Sequence, residues 1–108
     1  MSDLVYKIFT PEEWAAFEAA GRFDGSAADL RDGFIHFSKA DQLPGTLQRY
    51  YAGEARVAIA AFRTDTFGDA LRWERSRDDQ LFPHVYAPLL MAQLHSIEWA
   101  DPNSAAGG

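Results

Sequence analysis

Apolar residues in this chain recur with period two in several short runs and with the helical period in only two, a ratio that limits the fold more than any other feature. Leu4 to Phe9 is rich in β-formers and sets Tyr6 and Ile8 on one face and Lys7 on the other. Phe34 to Ser38 turns Ile35 and Phe37 one way and His36 and Ser38 the other. Arg56 to Phe62 alternates through Val57 and Ile59, Ala70 to Glu74 sets Leu71 and Trp73 against Arg72 and Glu74, and Leu94 to Trp99 aligns His95, Ile97 and Trp99. The first helix starts at Thr10-Pro11-Glu12-Glu13, with Thr10 as N-cap, Glu13 closing a capping box and Phe9 placed to staple Trp14, and it stops at Gly21. The second covers Gln42 to Tyr51, where Leu43, Leu47 and Tyr50 share a face and Pro44 is tolerated in the first turn. Phe23 to Arg31 reads as loop, and the two prolines of Leu81 to Pro88 argue against a central strand there. About five strands and two short helices, without sustained βα alternation, predict an α+β domain with mostly antiparallel pairing.

A chain of 108 residues fits one domain, since single cores run to about 100 to 150 residues before a chain splits. Residues 1–100 are expected to form it. Residues 101–108 are expected to be a flexible tail, because Pro-Asn-Ser-Ala-Ala-Gly-Gly has little to offset its ordering entropy. Cysteine is absent, which excludes thiol nucleophiles, thiolate zinc sites and iron–sulfur clusters and suits a reducing compartment. Ten Lys and Arg against sixteen Asp and Glu leave a net charge of −6, a field that repels nucleic acid and anionic membranes. The start, Met1-Ser2-Asp3-Leu4, lacks a signal-peptide layout, and no run approaches the ~18 apolar residues of a membrane span, so the expected location is the cytoplasm.

The candidate chemistry lies on the strands. His36, His84 and His95 lack the i, i+4 spacing of a helical metal motif, so no metal is expected. Gly33, Gly45 and Gly53 form neither a P-loop nor a dinucleotide fingerprint. His36 and Ser38 project from one strand face, but side chains two apart lie parallel, and no nucleophile elbow is present. Ser38 also reads as a cap for the helix that follows, with Asp41 three residues on. An imidazole between Phe34 and Phe37 needs a hydrogen-bond partner or a wet cleft, and Glu74 poses the same question on its strand. Between Pro83 and Pro88 a rigid segment presents His84 and Tyr86, which suits either ligand contact or a buried loop.

Three segments together carry a resemblance: Asp32-Gly33-Phe34-Ile35-His36-Phe37-Ser38, the Trp73-Glu74 pair, and Phe82-Pro83-His84-Val85-Tyr86-Ala87-Pro88-Leu89. In this order and spacing, from Tyr6 to about Ile97, the chain resembles the bacterial family known as domain of unknown function 952. The resemblance implies a fold similar to that of ADP-ribosyltransferases, a split antiparallel β core with nicotinamide adenine dinucleotide (NAD) lying between two small sheets. It places Glu74 where the transferase glutamate supports a cationic ribose, with His36 and His84 completing the catalytic group. Ser38 and Tyr86 would contact ligand. The position similar to a ribose-binding histidine, in a Tyr-His-Ile run of relatives, is Lys7 here, able to donate to a ribose hydroxyl or a phosphate.

Three functions remain open on this basis. The first is ADP-ribosyl or related transfer using NAD, or an NAD-derived ligand, as substrate. The second is a non-catalytic module binding a nucleotide-like small molecule on the same fold. The third is a structural or partner-binding domain without ligand, whose protein partner the sequence does not name.

Overall fold

A computed structural model describes residues 3–76 and 79–105. The domain is α+β, and its described strands pair antiparallel in three small sheets. The first sheet orders β1 (Leu4–Phe9), β4 (Val57–Arg63) and β8 (Leu94–Ala100), with β4 in the middle. The second orders β3 (Ile35–His36), β6 (Leu81–Val85) and β5 (Leu71–Arg75), with β6 in the middle. A two-stranded ribbon pairs β2 (Arg22–Phe23) with β7 (Leu89–Leu90). The two larger sheets meet at one two-way bridge: the Tyr6 N–H donates to the Ser38 carbonyl at 2.9 Å and the Ser38 N–H to the Tyr6 carbonyl at 2.8 Å.

Helix α1 (Pro11–Ala20) forms for the local reasons its sequence states. Thr10 Oγ1 accepts from the Glu13 N–H at 3.2 Å, and Glu13 Oε1 accepts from the Thr10 N–H at 2.9 Å. The Phe9 and Trp14 rings meet edge to face at 5.4 Å, and Gly21 ends the helix in the left-handed region. Phe9, Trp14, Phe17 and Phe23 pack as one aromatic group beneath β1, and Phe37, Phe62 and Phe67 continue that core toward β4. Fully burying side chains such as Phe9, Phe17 and Phe62 contributes roughly 1.5–3 kcal/mol each. Helix α3 (Leu43–Tyr50) follows a 3-10 turn and covers the other face of β1, where Leu47 packs with Ile8 and Val57.

Four expectations need correction. The segment Phe23 to Arg31 is not all loop: it opens in β2 and enters α2 (Ala27–Asp32), whose N-cap Ser26 and N3 residue Asp29 form a second capping box. The proline-bearing segment is a central strand after all. Pro83 gives its carbonyl to the Phe37 N–H at 3.0 Å but has no N–H to return, so it sits where the short strand β3 ends and costs little pairing. Ser38 does not cap the following turn; its hydroxyl pairs with that of Thr46 at 3.3 Å. Pro102, placed by the sequence in the tail, is fully buried and begins α4 (Pro102–Ala105), which packs against α3. Residues 106–108 lie outside the described residues.

Candidate functional site

The bridge between Tyr6 and Ser38 leaves a cleft between the two larger sheets, with α2 and α3 closing its sides. Its volume is about 490 Å³, within the ~300–1,000 Å³ usual for small-molecule sites. β1 brings Tyr6 and Lys7 to it, the second sheet brings His36, Ser38 and His84, and α3 brings Thr46 and Tyr50. Of the residues singled out in the sequence, Lys7, His36, Ser38 and His84 therefore converge. Glu74 and Tyr86 do not line this cleft, and Tyr86 borders a smaller hollow of about 220 Å³ on the far side of Phe34. His95 lies exposed on β8, away from the other two histidines. Among the described residues no group of three His, Asp or Glu is arranged to hold a metal ion.

Asp29 organises one wall. It is 2% exposed, and its two oxygens take five bonds from four donor groups. Lys7 Nζ donates to both oxygens, at 3.0 and 3.3 Å, and the Ser26 N–H donates to Oδ2 at 2.8 Å. His36 gives its backbone N–H at 3.1 Å and its Nδ1 at 2.6 Å to Oδ1. Burial alone would raise the Asp29 carboxyl; the His36 bond, the Lys7 charge and the Ser26 N–H outweigh it and hold the group well below the ordinary carboxylate range. His36 Nε2 also faces Asp32 Oδ2 at 3.0 Å, and Asp32 takes Arg31 Nε at 3.2 Å. Lys7 is 4% exposed because Val5, Lys7 and Phe9 share the core face of β1, so its ammonium reaches Asp29 past the Phe23 ring, 5.9 Å away.

Beside His36, its cross-strand partner with the ring 5.6 Å away, His84 builds the next part of the wall. Its Nδ1 lies 2.8 Å from Glu74 Oε1, the same oxygen that accepts the Tyr86 hydroxyl at 2.7 Å. Those two bonds, Tyr86 first, lower the Glu74 carboxyl, and the bond to Glu74 raises the Tyr86 phenol. An ionised Glu74 calls for a proton on His84 Nδ1, and in the neutral imidazole Nε2 then carries the lone pair. That nitrogen has no protein partner among the described residues and is not sealed away, so it opens on the cleft. The Phe34 ring stacks on the imidazole at 4.0 Å and 22°, and fixes its plane. The wall thus supplies a hydrogen-bond acceptor, or a proton acceptor, whose tautomer is set from behind by a carboxylate. At the cleft's other end, burial and then the charges of Glu13, Asp29 and Glu54 push the Tyr51 phenol up.

Sequence reasoning missed Asp29 and Asp32. The signal for Asp29 was present: Ser26-Ala27-Ala28-Asp29 is a capping-box pattern, hidden because the run behind it is only six residues long. Nothing local announced that its carboxylate would reach across to Lys7, twenty-two positions earlier.

A family profile described as "Protein of unknown function (DUF952)" matches residues 8–97. The crystal structure of protein CC0527 from Caulobacter crescentus, a structural-genomics target, is 43% identical, superposes with a TM-score of 0.82, and is matched over 91% of this chain and 84% of its own. The solution NMR structure of the same protein gives a TM-score of 0.78 over 91% and 83%. No curated protein matches the chain.

Proposed function

The chain belongs to the DUF952 family of proteins of unknown function, and on that premise we propose that it binds a ribose-bearing, nucleotide-like small molecule in the cleft between its two larger sheets, with His84 Nε2 accepting a hydroxyl proton of the ligand. The single observation that carries this reading is the open Nε2 of a buried histidine whose Nδ1 is fixed by Glu74. A buried imidazole with one nitrogen tied and the other free in a cleft of this size is a site for an incoming donor. In this reading Glu74 and Tyr86 act through His84 and touch no ligand, while Ser38 and His36 border it.

ADP-ribosyl transfer from NAD is the second reading. The observation favouring it is the cleft's position between two small antiparallel sheets, where the resemblance to ADP-ribosyltransferases puts the dinucleotide. It would require the Glu74 carboxylate to leave His84 and Tyr86 in order to face a cationic ribose. Lys7, in the place similar to a ribose-binding histidine, is already held by Asp29.

Thermal shift against NAD, ADP-ribose and nucleosides, with mass spectrometry of incubated NAD, separates the readings. Ligand at its dissociation constant stabilises by only RT ln 2, ~0.4 kcal/mol, which for a domain this size is a shift of about 2–3 °C. The His84→Phe variant, which keeps the stack on Phe34 and leaves Glu74 its bond from Tyr86, should fold and lose that shift, since a phenyl ring has no nitrogen to accept the ligand's proton. No shift with any ribose-bearing compound at millimolar concentration refutes the binding reading. Release of nicotinamide that Glu74→Gln abolishes would favour the transferase.

A further inference from the structure

We infer that the cleft selects a riboside without its phosphates and disfavours nucleotides and dinucleotides, because among the described residues the Lys, Arg and His36 side chains on its walls already face carboxylates. The inference rests on the small-molecule reading above. Lys7 is taken by Asp29, both ring nitrogens of His36 by Asp29 and Asp32, and Arg31 by Asp32. Glu13 adds a third carboxylate to the same lining, on a protein whose net charge is −6. Among the described residues, a phosphate entering here would meet no ammonium other than the one Asp29 holds, and a guanidinium whose Nε already faces an aspartate.

Capping boxes also take up part of the backbone donors at the cleft, leaving the Ala27 and Ala28 N–H groups of the six-residue α2 outside them. Two helices open toward the cleft, α1 at Thr10 and α2 at Ser26, and both are closed by capping boxes. The boxes consume the Thr10, Glu13, Ser26 and Asp29 N–H groups and place the carboxylates of Glu13 and Asp29 where an anion would otherwise dock. What remains on offer suits a neutral polyol with a ring. His84 Nε2 accepts, the phenol of Tyr6 can donate or accept, and the Ser38 hydroxyl, whose proton goes to Thr46 Oγ1 because Thr46 donates to the Gln42 carbonyl, keeps lone pairs to accept.

The test is calorimetric titration of the full chain with adenosine, guanosine, uridine and nicotinamide riboside, each beside its 5′-monophosphate, and with ADP-ribose, at low and high salt. The expected result is a riboside that binds at least about tenfold tighter than its monophosphate, with the gap narrowing as salt screens the repulsion. Asp32→Asn, a change at the surface that frees Arg31 and one nitrogen of His36, should narrow the gap at low salt as well. A monophosphate or ADP-ribose that binds tighter than its riboside and weakens with salt would overturn the inference and leave the cleft reading standing. Binding by none of these compounds would take down both.

Discussion

Replacing Asp29 by Asn tests whether one carboxylate holds α2, β1 and β3 together. Both Asp29 oxygens are in use: Oδ2 by Lys7 and the Ser26 N–H, Oδ1 by Lys7 and two groups of His36. Asparagine has one acceptor oxygen, so whichever way its amide turns, an NH2 group meets donors. Lys7 then keeps its charge at 4% exposure with only the edge of an aromatic core beside it. Removing one partner of a buried ion pair costs about 3–5 kcal/mol, and at about 4 °C per kcal/mol for a domain of this size the melting temperature should fall by roughly 12–20 °C. Lys7→Met is the contrasting change. It leaves Asp29 with the Ser26 N–H and both His36 donors, and gives the core an unbranched apolar side chain, so the loss should be about 1–2 kcal/mol. Urea unfolding followed by far-ultraviolet circular dichroism, at neutral pH and with unchanged m-values, measures both. A Lys7→Met variant that loses as much as Asp29→Asn, or more, would refute the idea that the carboxylate, and not the ammonium, is the hub.

The Asp29 carboxyl lies below its ordinary value of 3.8 in the folded state, so the unfolded chain takes up the proton first as pH falls. Its stabilising contribution should be complete above about pH 5 and drain away through and below pH 4; a urea midpoint that stays flat on acidification, or an identical acid slope in Asp29→Asn, would show that another group governs. Phe37, 3% exposed, should cost about 3–5 kcal/mol as Phe37→Ala, while Trp73, 44% exposed on the edge strand, should cost less than about 1 kcal/mol as Trp73→Ala; equal losses in thermal unfolding would contradict the assignment of Trp73 to the outer face. Gly25 has φ 129° and a Cβ there would lie 2.8 Å from Asp29 Cβ, so Gly25→Ala should lose more than about 1 kcal/mol. Gly53→Ala, with nothing within 4 Å, should stay within about 0.5 kcal/mol of the parent, and chemical denaturation of the pair checks the contrast.

Where structure is made by neighbours in the chain, the sequence was legible. The Thr10 capping box, the Phe9–Trp14 staple and the Gly21 stop involve groups within five residues of one another, and all of them form. The alternating runs at β1, β4, β5 and β8 are likewise strands, because period two already says which side chains share a face. Long-range geometry was not legible in the same way. Trp73 alternates with Glu74 as a core residue would, yet β5 is an edge strand and nothing covers that face at Trp73 beyond half its surface. Pro83 should have excluded a central strand, but its missing N–H falls opposite Phe37, just past the last residue of β3, where the ladder stops in any case.

The candidate site divides along the same line. Lys7, His36, Ser38 and His84 could be chosen from the sequence because each is a polar side chain on an otherwise apolar segment, and such residues must find a partner or a cavity. What the sequence could not supply is which of these two each one found. Lys7 and His36 found partners, and both found the same one, Asp29, delivered by a six-residue helix with little apolar patterning of its own. His84 found both, a partner for Nδ1 and the cleft for Nε2, and that asymmetry sets it apart from Lys7 and His36. Glu74 illustrates the limit: it was chosen as the carboxylate that faces a ligand, and the register of β5 against β6, with Arg72 opposite His84, turns it to serve the histidine instead. The carboxylate that the sequence marked for catalysis thereby stands outside the cleft lining and meets it through His84, where it can set the tautomer of the imidazole.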